Sequence, residues 1–429
     1  MFHMGWFLSY AVQAWRAPFS GRAETDWKDP GLYVDAARAL ERAGFDYMMF
    51  EDGSFIPDAF GGSAKWSLAN AMTAPKHDPL ALVATVGAAT SRIGLIATIT
   101  TTFYPPFLAA RLLTTLDHLT EGRCGLNLVT SHNVRTAQNY GLDEQIEHDR
   151  RYAIADEWMD AVSALWDCWD DDALVMDHET GVFADHTKVR HADFAGEYFR
   201  TRGPLNVPPG PQRRPVVCQA GGSPAGREFG ARHADTIIAQ AYSVADMKAY
   251  RADIDARAAA AGRDPKDVKV LFLATFTFGD SEERAREKAR AKEAAAAAAI
   301  EPKLASLSFA SGIDFGAFPL DEPLPEIRTN AAQSVTALHL RGTEGMTLRE
   351  IAARRMTGAV EFTGTPDGVA AQMGEAMAEA GGDGFLVQAP ITRRIVAEVA
   401  DGLAPALRRR GLVRDGYAHP TFRENLLAF

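Results

Sequence analysis

Two helix signals and two strand signals alternate in residues 77–129, HDPLALVATVGAATSRIGLIATITTTFYPPFLAARLLTTLDHLTEGRCGLNLV. The first helix is predicted to start at Asp78-Pro79, because Asp accepts hydrogen bonds from free N–H groups and Pro fits the first turn. Short apolar runs at 93–99 and 124–129 are typical of buried strands. Strands that are separated by helices predict parallel pairing through helical crossovers.

The same alternation continues on both sides of this stretch. Eight strands, each followed by a helical pattern, predict an α/β fold, a TIM-type (β/α)₈ barrel with insertions, rather than an open sheet. We expect residues 1–429 to form one domain, with insertions at about 170–214 and 300–345 and a C-terminal extension from about 396. The predicted strands span residues 2–8, 45–50, 93–99, 124–129, 216–220, 235–239, 268–278 and 384–388.

Composition and charge exclude several classes of protein. Of the 429 residues 47% are hydrophobic, and the formal net charge of −11 argues against a nucleic-acid-binding face. No apolar run reaches the roughly 18 residues of a membrane span, and the N-terminus lacks the basic region of a signal peptide. Three cysteines without a CxxC motif suit a reducing compartment. We therefore expect a cytoplasmic protein that binds neither nucleic acid nor membranes.

Polar residues gather at the C-terminal ends of the second, third and fourth predicted strands, where (β/α)₈ barrels place their active sites. Asp52 follows the second strand, Thr98 lies near the end of the third, and Asn127 opens the stretch NLVTSHN (127–133) in the fourth. Threonine also favours strands for structural reasons, and Asn127 could tie its strand to a neighbour, so structural roles stay open. Asn127 is the more informative, because a strand interior offers a buried amide few partners.

A glycine-rich turn, AGGSPAG at 220–226, lies between the fifth strand and the next helix. Gly221, Gly222 and Ser223 would let backbone N–H groups approach an anion at a helix N-terminus. The turn matches neither GxGxxG nor a P-loop, and an ordinary strand–helix turn explains it equally well. His132 and His148 flank the loop after the fourth strand and are candidates for the site or for ordinary loop positions.

The first predicted insertion carries several Asp and His residues between positions 177 and 193. Their spacing matches no metal-binding motif such as HExxH. A solvated insertion is the favoured interpretation, and no metal site is predicted.

Eight stretches, taken in their order and spacing, resemble the nitrilotriacetate monooxygenase branch of the bacterial-luciferase family. The resemblance covers about residues 1–395. The stretches are AWRAPFSG (14–21), FDYMMFEDGSF (45–55), the sequence from HDPLALV to LTEGR (77–123), NLVTSHN (127–133), EHDRRYAIADEWM (147–159), LWDCW (165–169), PVVCQAGGSPAG (215–226) and GTPDGVA (364–370).

This resemblance implies an FMN-dependent monooxygenase. It implies reduced FMN supplied by a separate flavin reductase, O₂ as oxidant, a small organic substrate and a homo-oligomer. By position, Asp52 would lie beside the flavin, and Thr98 and Asn127 near its reactive edge, where they would be the catalytic residues that donate hydrogen bonds to developing negative charge. The phosphate end would be held by His148, Tyr152 and the turn Gly221, Gly222 and Ser223. Leu126 departs from the aromatic residue that many relatives have at this position, so the family's substrates are not transferred.

Two alternative functions stay open. One is a deazaflavin-dependent oxidoreductase of the same superfamily, and the other is a flavin-binding protein without turnover, against which the polar strand ends argue. The 300–345 insertion, with its Gly and Pro residues, is expected to be a mobile lid over the barrel mouth, because long loops in compact domains are usually functional or disordered. A static surface loop is the alternative.

Overall fold

The computed structural model describes residues 1–13, 15, 26–354 and 358–429. Most of the stretch AWRAPFSG (14–21) therefore lies outside the described residues. Among the helices that are described, none is both long enough and apolar enough to cross a membrane.

Eight parallel strands close into a barrel, which confirms the predicted TIM-type (β/α)₈ fold. Every barrel strand lies within two residues of its predicted bounds, and the ring closes where the last strand pairs with the first. In chain order the strands are β1 His3–Ser9, β2 Tyr47–Glu51, β3 Gly94–Thr100, β4 Cys124–Val129, β5 Val216–Gln219, β6 Thr236–Ala239, β7 Lys269–Phe278 and β8 Gly384–Gln388.

Helices surround the barrel, and the one predicted to start at Asp78-Pro79 does so. The Asp78 side chain accepts a hydrogen bond from the Leu80 N–H at 2.8 Å, directly before Pro79 opens its helix. The helices are α1 Pro30–Arg42, α2 Lys65–Ala69, α3 Pro79–Gly87, α4 Pro106–Leu119, α5 Val134–Asn139, α6 His148–Trp166, α7 Pro224–His233, α8 Val244–Ala260, α9 Glu282–Ala298, α10 Ile300–Ser311, α11 Gln333–Leu340, α12 Leu348–Ala353, α13 Pro366–Ala380, α14 Arg393–Ala397, α15 Ala404–Arg409 and α16 Phe422–Leu426, with a π-helical segment Glu398–Leu403 between α14 and α15.

The C-terminal segment closes the bottom of the barrel. Phe422 of α16 packs with the side chains that fill the barrel interior, among them Tyr47 and Ile96. A Cβ atom added at Gly94 would lie 2.6 Å from the Phe422 ring, so the glycine leaves room for this plug. Since the N-terminal end of the barrel is filled, a ligand can reach the interior only from the C-terminal ends of the strands.

The two insertions have different structures. Residues 170–214 contain two small hairpins, Leu174–Asp177 with Val182–Ala184 and Phe194–Ala195 with Arg200–Thr201. Residues 300–345, expected to be loop, instead contain α10 and α11. In the sequence Pro302 suggests a loop. In the structure it lies in the first turn of α10, where it disrupts no hydrogen bond. The strand Val360–Gly364, not predicted, pairs with the outer half of β7.

Candidate functional site

Thr98 and Asn127 lie side by side at the C-terminal ends of β3 and β4. They are direct partners in the register of the two strands. The Asn127 Nδ2 atom donates to the Thr98 Oγ1 atom at 2.9 Å, and that hydroxyl donates to the Phe50 carbonyl at 2.8 Å. The only hydroxyl hydrogen of Thr98 is therefore committed to Phe50, and the buried Asn127 Oδ1 atom has no hydrogen-bond partner in the structure.

Asp52 faces Thr98 across a narrow cavity of about 50 Å³ that also contacts Thr100, Tyr104 and His132. Burial raises the pKa of the Asp52 carboxyl to about 6, although the Gly53 N–H and the nearby Lys76 act in the opposite direction. We call this cavity the ring-side lobe.

His132, on the loop after β4, is held neutral. Burial lowers its pKa to about 4, and the positive charge of Arg151 acts in the same direction. Its Nε2 atom is buried and has no hydrogen-bond partner. His132 therefore offers an uncharged imidazole to the cleft at neutral pH.

The turn after β5 forms a close-packed cradle. A Cβ atom added at Gly221 would lie 2.4 Å from the Gln219 Nε2 atom and 2.8 Å from the Tyr152 hydroxyl, so only glycine fits without rearrangement. Ser223 is the N-cap of α7, and its hydroxyl accepts from the Gly226 N–H at 3.1 Å. The Ser223 hydroxyl also lies within hydrogen-bond reach of the Tyr152 hydroxyl, so both hydroxyls belong to this cradle.

The first turns of α6 bring three further side chains to this cradle. His148, Arg151 and Tyr152 share one face of the helix at the spacing i, i+3 and i+4. They line a cavity of about 150 Å³ together with Gly221 and Ser223. We call this cavity the anion-side lobe.

Arg151 is the main group in this lobe that the sequence analysis missed. It is 1% exposed, and its guanidinium donates only to the Ile146 and Asn330 carbonyls, at 3.2 and 3.1 Å. No carboxylate of the described residues lies within ion-pair distance of it, and its Nε atom is unpartnered. An arginine side chain stays charged in proteins, so the lobe holds a buried positive charge beside the N-termini of α6 and α7, which the Glu147 carboxylate favours from beyond ion-pair distance.

The two lobes form one cleft, because Val129, Ser131 and His132 line both. The predicted site residues divide between its ends. Asp52 and Thr98 lie at the ring side, with Asn127 contacting the lobe through Thr98. His148, Tyr152, Gly221 and Ser223 lie at the anion side, and Gly222 lies within the same turn.

Parts of the 300–345 insertion cover this cleft. Phe309 of α10 stacks on Phe55 at 5.6 Å between ring centroids and meets His132 edge-on at 5.8 Å. The Asn330 carbonyl accepts from Arg151, and Ala331 and Ala332 contact the anion-side lobe. The second insertion therefore packs over the barrel mouth, where a lid would act.

The Asp residues of the first insertion serve its own turns. Asp177 accepts from the Thr180 hydroxyl at 2.7 Å, and Asp185 from the Thr187 hydroxyl at 2.6 Å. Among the residues whose placement is described, no group of three or more His, Cys, Asp or Glu side chains is arranged to hold a metal ion.

Comparison with known proteins identifies relatives over nearly the whole chain. The family model for luciferase-like monooxygenases matches residues 2–384. The dibenzothiophene-sulfone monooxygenase of Rhodococcus erythropolis is 36% identical over 98% of this chain and 94% of its own. Nitrilotriacetate monooxygenase component A of Aminobacter aminovorans is 34% identical over 93% of this chain and 90% of its own. The crystal structure of a riboflavin lyase with modified FMN and riboflavin superposes with a TM-score of 0.90, at 29% identity, covering 100% of this chain and 96% of that one.

Proposed function

Because the chain belongs to the luciferase-like monooxygenase family and is an enzyme of that class, we propose that its cofactor is reduced FMN, delivered by a separate flavin reductase. In the proposed reaction one atom of O₂ enters a small organic substrate and the other leaves as water, while reduced FMN supplies two electrons and is oxidised. The expected homo-oligomer and a cytoplasmic location belong to the same proposal.

The observation that carries the proposal is the charge gradient along the cleft. One end holds the Arg151 guanidinium, the Ser223 and Tyr152 hydroxyls and the N-terminus of α7, a combination that suits a phosphate. The side chains around Thr98 at the other end are uncharged apart from the Asp52 carboxyl. A flavin mononucleotide has the matching polarity, with a dianionic phosphate at one end and a neutral-to-weakly acidic ring at the other.

The residues at the anion side fit the phosphate on structural grounds. The Arg151 Nε atom is an unpartnered buried donor, and buried polar groups are normally paired. Gly221 leaves room for the Gln219 and Tyr152 side chains to pack against the turn, which holds the Tyr152 hydroxyl at the lobe. Arg151, Ser223 and the Tyr152 hydroxyl would hold the phosphate here.

The ring side fits the oxygen chemistry that reduced FMN supplies when bound. Thr98 would contact the ring, and Asn127 acts as a positioning residue that holds the Thr98 hydroxyl through its Nδ2 atom. Asp52 would lie close to the ring. Phe309, which stacks on Phe55 above the cleft, would exclude water.

Thr98→Val tests the ring-side assignment, because valine keeps the volume and removes the hydroxyl, while Thr98→Ser keeps the hydroxyl as the matched control. We expect product per reduced FMN to fall by roughly 10-fold in the valine variant, because the Asn127 Nδ2 atom loses the acceptor that positions it, a contact worth about 1 kcal/mol. Hydrogen peroxide should rise correspondingly, and the serine variant should recover most of the coupling. If both variants gave the same product yield as the unmodified protein, Thr98 would have no role in the reaction.

The cofactor itself is tested by binding and by isotope labelling. Anaerobic titration should show tighter binding of reduced FMN than of oxidised FMN or FAD, and Arg151→Gln should weaken FMN binding while leaving riboflavin binding nearly unchanged. Product formed under ¹⁸O₂ should carry one labelled oxygen atom. Substrate reduction by a deazaflavin without O₂ consumption would instead establish the deazaflavin alternative, and flavin binding without any turnover the storage alternative.

A further inference from the structure

The ring-side lobe lacks any group that would bind an anionic substrate. In the part of the chain that the structure describes, its lining contains no Lys or Arg side chain. Apart from the tyrosines, the ionisable side chains of the lining are Asp52 and His132, and His132 is neutral. The nearest ammonium group, that of Lys76, is bound by both carboxylate oxygens of Glu51, at 2.6 and 2.8 Å. Lys76, Glu51 and Asp52 together carry a net charge of zero or −1.

Three aromatic side chains share the walls of the lobe with serine and threonine residues. Phe55, Tyr104 and Tyr140 line it, and Phe309 covers Phe55 and His132 from α10. Burial raises the pKa of the Tyr104 phenol to about 12, so this ring is neutral throughout the physiological range. Aromatic faces bind rings, alkyl groups and sulfur through apolar area and polarisability.

We infer that the substrate is a neutral molecule with an apolar part that fits the aromatic side chains, and that polycarboxylates and sulfonates are excluded by the charge of the ring-side lobe. This inference rests on the proposed function, since it places the substrate beside the flavin ring. A carboxylate that entered this lobe would lose its water and lie close to Asp52. The nearby Lys76 is already paired with Glu51, so no cation is left to pair with the carboxylate. Burying an unpaired charge in this way is unfavourable. The one unpaired cation of the cleft, Arg151, lies at the other end, where the flavin phosphate would neutralise it.

The substrates named for two relatives differ in charge. Dibenzothiophene sulfone, named for one relative, is neutral and planar, whereas nitrilotriacetate, named for another at nearly the same identity, is a polyanion. Identity alone does not choose between these two classes of substrate, and the lining of the ring-side lobe favours the first.

A matched pair of probes tests the charge argument. Methyl phenyl sulfide and 4-(methylthio)benzoate share their ring and sulfur atom and differ by one carboxylate. Binding is measured by calorimetry on the protein alone and on the protein with FMN, and oxygenation with reduced FMN and O₂. We expect the sulfide to bind at least 10-fold more tightly and to be the only one of the two that is oxygenated, with nitrilotriacetate unbound.

Tyr140→Arg should reverse the preference. Tyr140 lies at the rim of the lobe, 44% exposed and stacked on Phe103 at 4.5 Å, and an arginine can keep the stacking while adding a positive charge. We expect its affinity for the benzoate to rise about 10-fold. Leu119→Arg, which adds the same charge at the exposed C-terminus of α4, is the matched control and should leave both affinities unchanged.

Removing the cover tests the apolar half of the argument. Phe309→Ala should weaken binding of the sulfide about 10-fold without changing FMN affinity, whereas Ser306→Ala, on an exposed face of the same helix, should change neither. Tighter binding or preferential oxygenation of the carboxylate by the unmodified protein would overturn the inference even if flavin chemistry proceeds. Absence of any reduced-FMN binding or O₂ consumption would instead overturn the proposed function.

Discussion

Replacing Asp52 by asparagine is expected to stabilise the fold above pH 6. Burial raises the pKa of this carboxyl from its ordinary value of 3.8 to about 6, despite the hydrogen bond from the Gly53 N–H. Between these pH values the folded state holds a proton that the unfolded chain has released. The free energy of unfolding therefore falls as pH rises through this window, and asparagine removes that loss.

The magnitude follows from the width of the window. A pKa rise from 3.8 to about 6 corresponds to about 3 kcal/mol at roughly 1.36 kcal/mol per pKa unit. Because Asp52 keeps some contact with solvent, which screens the effect, we expect about 2 kcal/mol. Asparagine has nearly the same size and can still accept the Gly53 hydrogen bond, so the substitution removes charge and leaves packing in place.

Urea unfolding at pH 4 and pH 7.5 measures the effect. The stability difference between Asp52→Asn and the unmodified protein should grow by about 2 kcal/mol from the lower to the higher pH. Asp58→Asn is the matched control, because Asp58 lies nearby at the rim and pairs with Arg135 at 2.9 Å, and it should show no such growth. A pH-independent difference, or a variant that is less stable at pH 7.5, would refute the reasoning.

Three further predictions concern the rest of the cleft and the barrel. Gly221→Ala should weaken FMN binding through the clash with Gln219. Ser223→Asp should weaken it more strongly, because the new carboxylate and the flavin phosphate repel by several kcal/mol at an effective dielectric of about 20. Unchanged FMN affinity in binding titrations of both variants would remove this turn from the phosphate site. Phe422→Ala should lower the free energy of unfolding by about 3–5 kcal/mol in urea, and a loss under 1 kcal/mol would show that the plug is dispensable. The ring-side lobe of about 50 Å³ holds only a few water molecules, so residues 300–345 must move to admit a substrate; hydrogen exchange there should slow when reduced FMN binds, and equal exchange would favour a static cover.

The predictable parts of the structure are those with local signals. Asp78 and Ser223 each cap the helix that follows them, and the capping pattern is visible in the chain itself. The apolar runs placed all eight barrel strands, because buried parallel strands are apolar throughout. Thr98 and Asn127 were found because barrel topology brings strand ends together.

The parts that were missed depend on tertiary context. Strand Val360–Gly364 alternates between buried and half-buried positions over only five residues, too few to distinguish it from a loop. Pro302 and Gly312 indicated a loop, yet they mark the first turn and the C-terminal cap of α10. The importance of Arg151 lies in the absence of a carboxylate near it among the described residues, and no sequence pattern reports which charges a fold leaves unpaired.

The orientation of the proposed flavin follows from charge and does not depend on resemblance. If the flavin were reversed, its phosphate dianion would lie beside the Asp52 carboxyl, whose pKa burial raises to about 6, so that two negative charges would meet at neutral pH. Arg151 would then stay buried without a counter-ion, and an unpaired buried charge destabilises a protein strongly. With the phosphate beside Arg151 both difficulties disappear, and the ring necessarily extends past His132 toward Thr98. The same gradient that selects this orientation leaves the ring-side lobe for an uncharged substrate, so cofactor orientation and substrate class have one electrostatic origin.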